Sequence, residues 1–464
     1  MIGGGLAGIA AALDCAQAGA RVTLVEVRRR LGGAAYSFER DGMQIDNGQH
    51  VLLRCCSAYR ELLRRLGSEQ GVLMQQRLEI PVLSPGAEPV VLRRGGLPAP
   101  AHLAGTLLRY RRLTLRKRLG AARTALAVGR LDPAAEETPE SETFGGWLAE
   151  HGQGPEEVAA LWDLIVLPTL NLPAAQASLG LGAFVFQTAL LQSSSAGDIG
   201  FHERPLSATI GEPARQALAQ AGVQVRLGWR AERIERAGSG FRVHGPGGAG
   251  RSDALDPPNV PVVPQAPDGA SDAVDTPDAL EATTVIVAVP HTRAVGLLQE
   301  LEPGIAGKLR QIGSSPIVNL HVVYDRPVSE HRFAAGVGTP VQYLFDRSAA
   351  GGVPPGCQYL AVSLSGADRE MGMSVDELRE RYLPALSALL PRARRARVER
   401  FLVTREHAAT LRATPGVARL RPGNETSTPG LVLAGSWTDT GWPATLEGAV
   451  LSGHAAARLA LAGL

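Results

Sequence analysis

The chain has 464 residues, 20% of them charged, and a formal net charge of only +2. That length exceeds one simple core and implies two or more domains, while near-neutrality excludes a polyanion-binding role for the whole molecule. Four cysteines without metal-ligand spacing, no secretory leader and no uninterrupted apolar run of about 18 residues exclude a cysteine-built metal centre and argue against a spanning helix; a reducing, cytoplasmic setting is expected.

Gly3-Gly4-Gly5-Leu6-Ala7-Gly8 fits G-x-G-x-x-G. Gly3 permits a tight turn, Gly5 lets a pyrophosphate approach the backbone, and Gly8 lets the next helix pack close to the sheet. An Ala-rich helical run follows. Residues 21–25 then read as a buried strand ending in Glu26, about 20 residues on, where an acidic side chain holds a ribose hydroxyl pair. The glycine turn alone is a weak signal; its strand and acidic residue make it a dinucleotide site. Only Met1 and Ile2 precede the glycines. The first strand is therefore short, through a late start or a clipped terminus, and the sheet is expected to be weak there.

Arg28 to Ser37 contains Arg30 and the pair Gly32-Gly33. The glycines let a second loop approach a diphosphate, and Arg30 can offset its charge. Asp46-Asn47-Gly48-Gln49-His50 precedes a helix over 57–66 and is either a cap and turn or a polar group at the site. Residues 78–92 read as strands around Pro85-Gly86. Residues 105–120 combine leucine with dense arginine, which suits a basic amphipathic helix lying on an anionic membrane, a solvated face or a phosphate-binding patch. Nucleic acid fits less well, since aromatics are only 5% of the chain.

Residues 132–142 form an acidic loop, and Thr143 caps a helix carrying Trp147. Residues 161–191 are long and apolar, either plain core or the wall of a lipid tunnel. A helix from Arg204 to about Ala221 is followed by a strand at 222–227, then by Ala231 ahead of a hairpin. Residues 245–281 read as a flexible surface insertion, and 284–290 as a buried strand. Strands are expected at 317–324, 341–345, 359–363 and 398–404. A helix at 376–389 has its cap at Ser374. The last strand ends at Ala434-Gly435, followed by a Trp437–Pro443 turn and a final helix.

The glycine fingerprint, Glu26, Arg30-x-Gly32-Gly33 and the C-terminal Ala434-Gly435 strand-turn-helix resemble the flavin amine oxidase and phytoene desaturase superfamily, over essentially the whole chain. More narrowly, the Arg28–Phe38, Asp46–Val51, Ser315–Val318, Gln342–Arg347 and Arg405-Glu406 segments resemble the squalene-associated branch, the hydroxysqualene dehydroxylases. The most specific run is Trp437-Thr438-Asp439-Thr440-Gly441-Trp442-Pro443-Ala444-Thr445-Leu446-Glu447-Gly448-Ala449.

The resemblance implies an α/β fold: a discontinuous Rossmann-like, glutathione-reductase-like FAD-binding domain (1–70, 204–290, 400–464) with a mixed α+β substrate and membrane-associated domain (71–203, 291–399). It implies FAD held by Gly3, Gly5, Leu6, Ala7, Gly8, Glu26, Arg30, Gly32, Gly33, Ala231, Gly435, Ser436 and Glu447, with no metal. His50 and Gln49 stand as flavin-side groups, and Asp439, His50 and Glu447 as proton-donor candidates. The implied reaction is reductive dehydroxylation of hydroxysqualene to squalene. A carotenoid-type desaturase or isomerase is the alternative, and a non-catalytic flavin-fold escort of prenylated lipid ranks lower. The partners implied are an apolar isoprenoid and, through 105–120, the inner face of the cell membrane; no electron donor is named. Two departures from the family pattern, Ala34 after the glycine pair and Ser436 in place of an aspartate, predict weaker FAD retention. An amine oxidase fits poorly, because the strand at 317–324 carries Asn319 and His321 but no lysine.

Overall fold

The computed structural model describes residues 1–132, 142–246 and 278–463. A parallel sheet is assembled from separated pieces in the order Gln224–Leu227, Thr23–Glu26, Ile2, Val285–Val287 and Leu431–Leu433. The short first strand is one bridging residue. The Ile2 amide donates to the Ile286 carbonyl (2.9 Å), and its carbonyl accepts from Ala288 (2.7 Å). On the other side the Gly3 amide donates to the Val25 carbonyl (2.8 Å) and the Val25 amide to the Met1 carbonyl (2.9 Å). The strands Thr23–Glu26, Val285–Val287 and Leu431–Leu433 are almost wholly buried, as a sheet covered on both faces requires.

Helix Leu6–Gln17 leaves this sheet and packs on the last helix, Leu446–Ala462. Small residues allow the close approach: Ala10, Ala11 and Ala12 are fully buried, and a Cβ on Gly453 would lie 2.4 Å from the Ala7 carbonyl oxygen. Asp14 ties the pair to a third helix, Ser57–Arg65, by accepting hydrogen bonds from His454 and Arg65. Burial pushes the Asp14 carboxyl up, but those two donors outweigh it and hold the group below its ordinary value. Its stabilisation is therefore complete above the unfolded pKa near 4 and is lost as pH falls through the lower folded value. Asp14→Asn is expected to flatten the acid side of a stability–pH profile by about 1 kcal/mol, measured by urea unfolding below pH 5.

A second, mixed sheet has seven strands: Val398–Leu411, Ser314–Tyr324, Gln358–Ser365, Tyr343–Asp346, Phe333–Gly336, Glu79–Ser84 and Ala87–Arg93. Every neighbouring pair is antiparallel except Phe333–Gly336 with Glu79–Ser84. Alternation along Ser314–Tyr324 sends Val318, Leu320 and Val322 into one core with Leu378, Tyr382 and Leu386 of helix Val375–Leu389, which Ser374 begins with a capping box. Asn319 and His321 therefore face the opposite way, toward the nucleotide-binding half. A third sheet has three strands, Val51–Leu53, Ile199–His202 and Val72–Met74, with Ile199–His202 in the middle.

Several expectations are corrected. Val398–Leu411, assigned to the FAD-binding segment from residue 400, runs farther than residue 404 and hydrogen-bonds into the seven-stranded sheet. The insertion is narrower than 245–281, because Ala279–Ala282 pairs with Gly240–His244; residues 247–277 lie outside the described residues, as does most of the acidic loop. Residues 105–120 are two helices, Ala104–Arg109 and Leu115–Val128. Between them Tyr110 and Leu113 drop into the core, with the Tyr110 hydroxyl donating to the Ala160 carbonyl (2.5 Å). The apolar stretch 161–191, by contrast, is interrupted as its polar residues and prolines lead one to expect: Asn171, with a φ of 53°, ends helix Asp163–Leu170.

Candidate cofactor site

The opening turn and the Gly32-Gly33 loop face each other. Gly33 has φ +61°, and a Cβ there would lie 2.7 Å from the Gly5 Cα. A Cβ on Gly8 would lie 2.0 Å from the Gly3 carbonyl oxygen, so only glycine lets helix Leu6–Gln17 start against its own turn. That helix has no side-chain cap and no acidic residue in its first turn, which leaves the Leu6, Ala7 and Gly8 amides as free donors at its positive end. This cradle fits a diphosphate.

Glu26 ends its strand buried, accepting from the Gly4 amide (2.7 Å) and the Arg28 amide (2.9 Å). Two amides orient the carboxylate and leave it lone pairs for a ribose hydroxyl pair. The Gly228 and Trp229 amides donate to the Arg28 and Glu26 carbonyls, so the segment leading to half-buried Ala231 runs beside this end of the strand. Arg30 stacks on Tyr36, its guanidinium carbon 3.4 Å from the ring centroid, and donates to the Gly33 carbonyl (3.2 Å). The charge is thereby aimed at the glycine loop.

Sequence reasoning missed the network behind this loop. Glu406 accepts from the Tyr36 hydroxyl (3.2 Å) and the Asn47 side-chain amide (3.0 Å). Asn47 also donates to the Ala34 carbonyl and accepts from the Tyr36 amide. Burial, then the Glu406 charge, pushes the Tyr36 phenol up. Asp46 accepts from Arg347 (2.6 Å), the Ser37 hydroxyl (2.6 Å) and the Leu206 amide (3.0 Å). The blocks Arg28–Phe38 and Asp46–Val51 marked the region, but their partners lie hundreds of residues away.

The C-terminal turn arrives beside the opening turn. The Ala434 amide donates to the Val287 carbonyl (2.9 Å), on the strand that Ile2 borders from its other side. The Gly435 amide donates to the Ser452 hydroxyl, and Trp437 Nε1 to the Val289 carbonyl. Buried Arg421, also unforeseen, donates to the Ser436 carbonyl (3.2 Å) and the Thr438 carbonyl (2.5 Å), placing fixed positive charge under the turn. Burial lowers the Arg421 pKa against the raising effect of Asp439.

The three proton-donor candidates differ in setting. Both oxygens of buried Glu447 accept amides, Ala58 at 2.9 Å and Tyr59 at 2.7 Å, so the residue caps helix Ser57–Arg65. Burial pushes its carboxyl up, against those bonds. The Glu447 carboxylate is thus committed to the start of another helix. Glu447→Ala is expected to cost about 1–2 kcal/mol in urea unfolding through the lost cap. Burial pushes the His50 imidazole down, against the raising effect of Asp46. Asp439 is exposed and accepts from the Gly441 amide (3.2 Å).

Residues 6–461 match the flavin containing amine oxidoreductase family. Hydroxysqualene dehydroxylase from Rhodopseudomonas palustris is 30% identical over 475 aligned positions, covering 100% of this chain and 98% of that protein. Zeta-carotene desaturase from Arabidopsis thaliana is 22% identical, covering 98% of this chain and 84% of that protein. Among solved structures, putrescine oxidase bound to putrescine superposes with a TM-score of 0.71 at 19% identity, covering 99% of this chain and 98% of that one. Cyclohexylamine oxidase from Brevibacterium oxydans gives 0.70 at 18%, with the same coverage. The fold and FAD as cofactor, both expected from the glycine fingerprint and the C-terminal turn, are thereby established. The chain is an FAD-dependent oxidoreductase and belongs to the flavin containing amine oxidoreductase family.

Proposed function

We propose that the chain removes the hydroxyl group of hydroxysqualene to give squalene. The observation that carries this reading is the 30% identity to hydroxysqualene dehydroxylase across the full length of both proteins. Bound reduced FAD supplies a two-electron donor. The chain's own work is to hold an oily alcohol, exclude bulk water and deliver a proton to the departing oxygen. The C–O bond breaks, oxygen leaves as water, and a hydride takes its place. Asp439 remains the proton-donor candidate whose carboxyl is not claimed by a buried helix end.

An apolar substrate suits the layer above the sheet, where Tyr343 stacks on Phe333 and Phe345, and Phe201 packs on Phe333. A desaturase acting on a polyene is the second reading, supported by the lower identity to zeta-carotene desaturase. Two product assays separate them. Reduced enzyme with hydroxysqualene should yield squalene, and oxidised enzyme with a polyene should yield nothing; the reverse outcome overturns the proposal.

The same reading puts the chain on a membrane surface, at the inner face of the cell membrane. No helix among the described residues is long and apolar enough to cross one. Leu108, Leu115, Leu119 and Leu126 are roughly half exposed, interleaved with exposed Arg109, Arg111, Arg116 and Arg123. Leucines at the acyl boundary with arginines among anionic headgroups is the chemistry of interfacial binding. Lys117 and Arg112 are engaged with Glu156 and the Glu88 carbonyl. Arg109→Glu with Arg111→Glu is expected to weaken co-sedimentation with anionic vesicles about tenfold or more; unchanged sedimentation refutes the contact.

A further inference from the structure

We propose that Cys55 and Cys56 form a vicinal dithiol site that chelates a thiophilic, three-coordinate electrophile, such as a trivalent arsenical, across both sulfurs. The site lies outside the residues assigned to FAD or to the reaction, and it stands whatever lipid the chain acts on.

Both cysteines are partly exposed, just ahead of helix Ser57–Arg65. Backbone bonds hold them in one arrangement. The Cys55 amide donates to the Ala196 carbonyl (3.0 Å) and the Cys56 amide to the Leu53 carbonyl (2.9 Å). Cys56 takes φ −74° and ψ 68°, and the Ser57 amide donates back to the Cys55 carbonyl (2.8 Å), which closes an inverse γ-turn. The Arg60 amide then donates to the Cys56 carbonyl (3.2 Å) and carries the turn into the helix. Within this turn the Cys56 thiol donates a hydrogen bond to the Cys55 sulfur, so the two sulfurs lie side by side. That bond draws the Cys55 thiol down against burial, while the same bond and then burial push the Cys56 thiol well up.

Two sulfurs in contact allow two products, and chain geometry separates them. Adjacent Cα atoms are about 3.8 Å apart, whereas a relaxed disulfide wants roughly 4.4–6.8 Å. A direct Cys55–Cys56 disulfide is therefore strained and readily reduced. A bridging atom enlarges the ring by one member and relieves that strain. Cys55, whose thiol is the one drawn down, is the first nucleophile. Once it holds the arsenic, Cys56 closes the ring in an intramolecular step at high effective concentration. With an arsenoxide, the arsenic–oxygen bond is replaced by two arsenic–sulfur bonds, and the two thiol protons leave with the oxygen as water. Nothing is oxidised or reduced. The remaining cysteines lack this arrangement: Cys15 is buried in helix Leu6–Gln17, and Cys357 has no cysteine beside it in sequence.

The test uses the FAD-loaded protein, treated with dithiothreitol, desalted under anaerobic conditions and titrated with phenylarsine oxide. Intact mass should rise by a single phenylarsenic group, and the thiols then labelled by a maleimide in denaturant should fall from four to two. Tryptic digestion should find the arsenic on the peptide that carries both Cys55 and Cys56. Release by 2-mercaptoethanol should need about a hundredfold more thiol than in Cys55→Ser or Cys56→Ser. Cys357→Ser should behave as wild type. Arsenic mapped to Cys357, one thiol lost per arsenic, an adduct that forms only after unfolding in urea, or equal release from wild type and Cys55→Ser overturns the inference. Circular dichroism checks the fold of each variant; should the serine variants unfold, the thiol count and peptide map of the wild type decide.

Discussion

Gly33→Val is expected to reduce FAD retention more than tenfold while the chain stays folded. Gly33 sits at φ +61°, a region a β-branched side chain rarely adopts, and its Cβ would meet the Gly5 Cα at 2.7 Å. That neighbour is backbone and cannot rotate away. Gly5 is fixed because its carbonyl accepts the Ile9 amide (2.9 Å), and the loop is fixed because the Gly32 amide donates to the Gly4 carbonyl (2.9 Å). Relief can come only by parting the two loops, which spoils the cradle for the diphosphate. The strain is about 1–3 kcal/mol, small against a domain's stability but applied at the cofactor's anchor. Flavin-to-protein absorbance after gel filtration, beside a circular dichroism spectrum, measures the effect. Gly304→Ala is the matched control, since a Cβ there meets nothing within 4 Å. Equal flavin content in Gly33→Val and wild type would contradict the cradle.

Arg347→Met is expected to destabilise the protein by about 3–5 kcal/mol. Arg347 and Asp46 are both almost buried, and their side chains meet at 2.6 Å. Removing the cation leaves a carboxylate enclosed with only the Ser37 hydroxyl and the Leu206 amide, and desolvation is no longer offset. The His202 carbonyl also loses its Arg347 donor. Because Arg347 follows a strand of the seven-stranded sheet and Asp46 ends a strand beside the glycine loop, the pair joins the two halves of the molecule. Asp46→Asn with Arg347→Met should recover much of the loss, because no unpaired charge remains. Urea midpoints for the four proteins of this cycle provide the measurement. A single variant within about 0.5 kcal/mol of wild type would show that the pair is not buried in solution.

The features legible in the sequence are those whose cause is local. The glycine turn, Glu26, the Ser374 and Thr143 caps and the buried strands at 285–287 and 431–433 each follow from residue type and spacing within a few positions. The features that escaped are contacts between distant segments. Tyr36 and Glu406 meet across 370 positions, and Arg421 reaches the Ser436–Thr438 backbone from a loop without periodicity. Glu447 looked like a helix-end charge for the cofactor; only the tertiary fold shows that it caps the helix beginning at Ser57. Val398–Leu411 escaped at its far end because it is the edge strand, where polar Arg405-Glu406-His407 can sit in a ladder without breaking a core. The break at Tyr110–Leu113 escaped because leucine and arginine spacing favours one continuous helix, while burial of the tyrosine against Ala160 decides otherwise.

The most direct measurement is a single turnover. FAD-loaded protein is reduced chemically under anaerobic conditions, freed of excess reductant and mixed with hydroxysqualene. One squalene should form for each flavin that returns to its oxidised colour. Flavin that stays reduced with hydroxysqualene unconsumed, although FAD remains bound, would contradict the account.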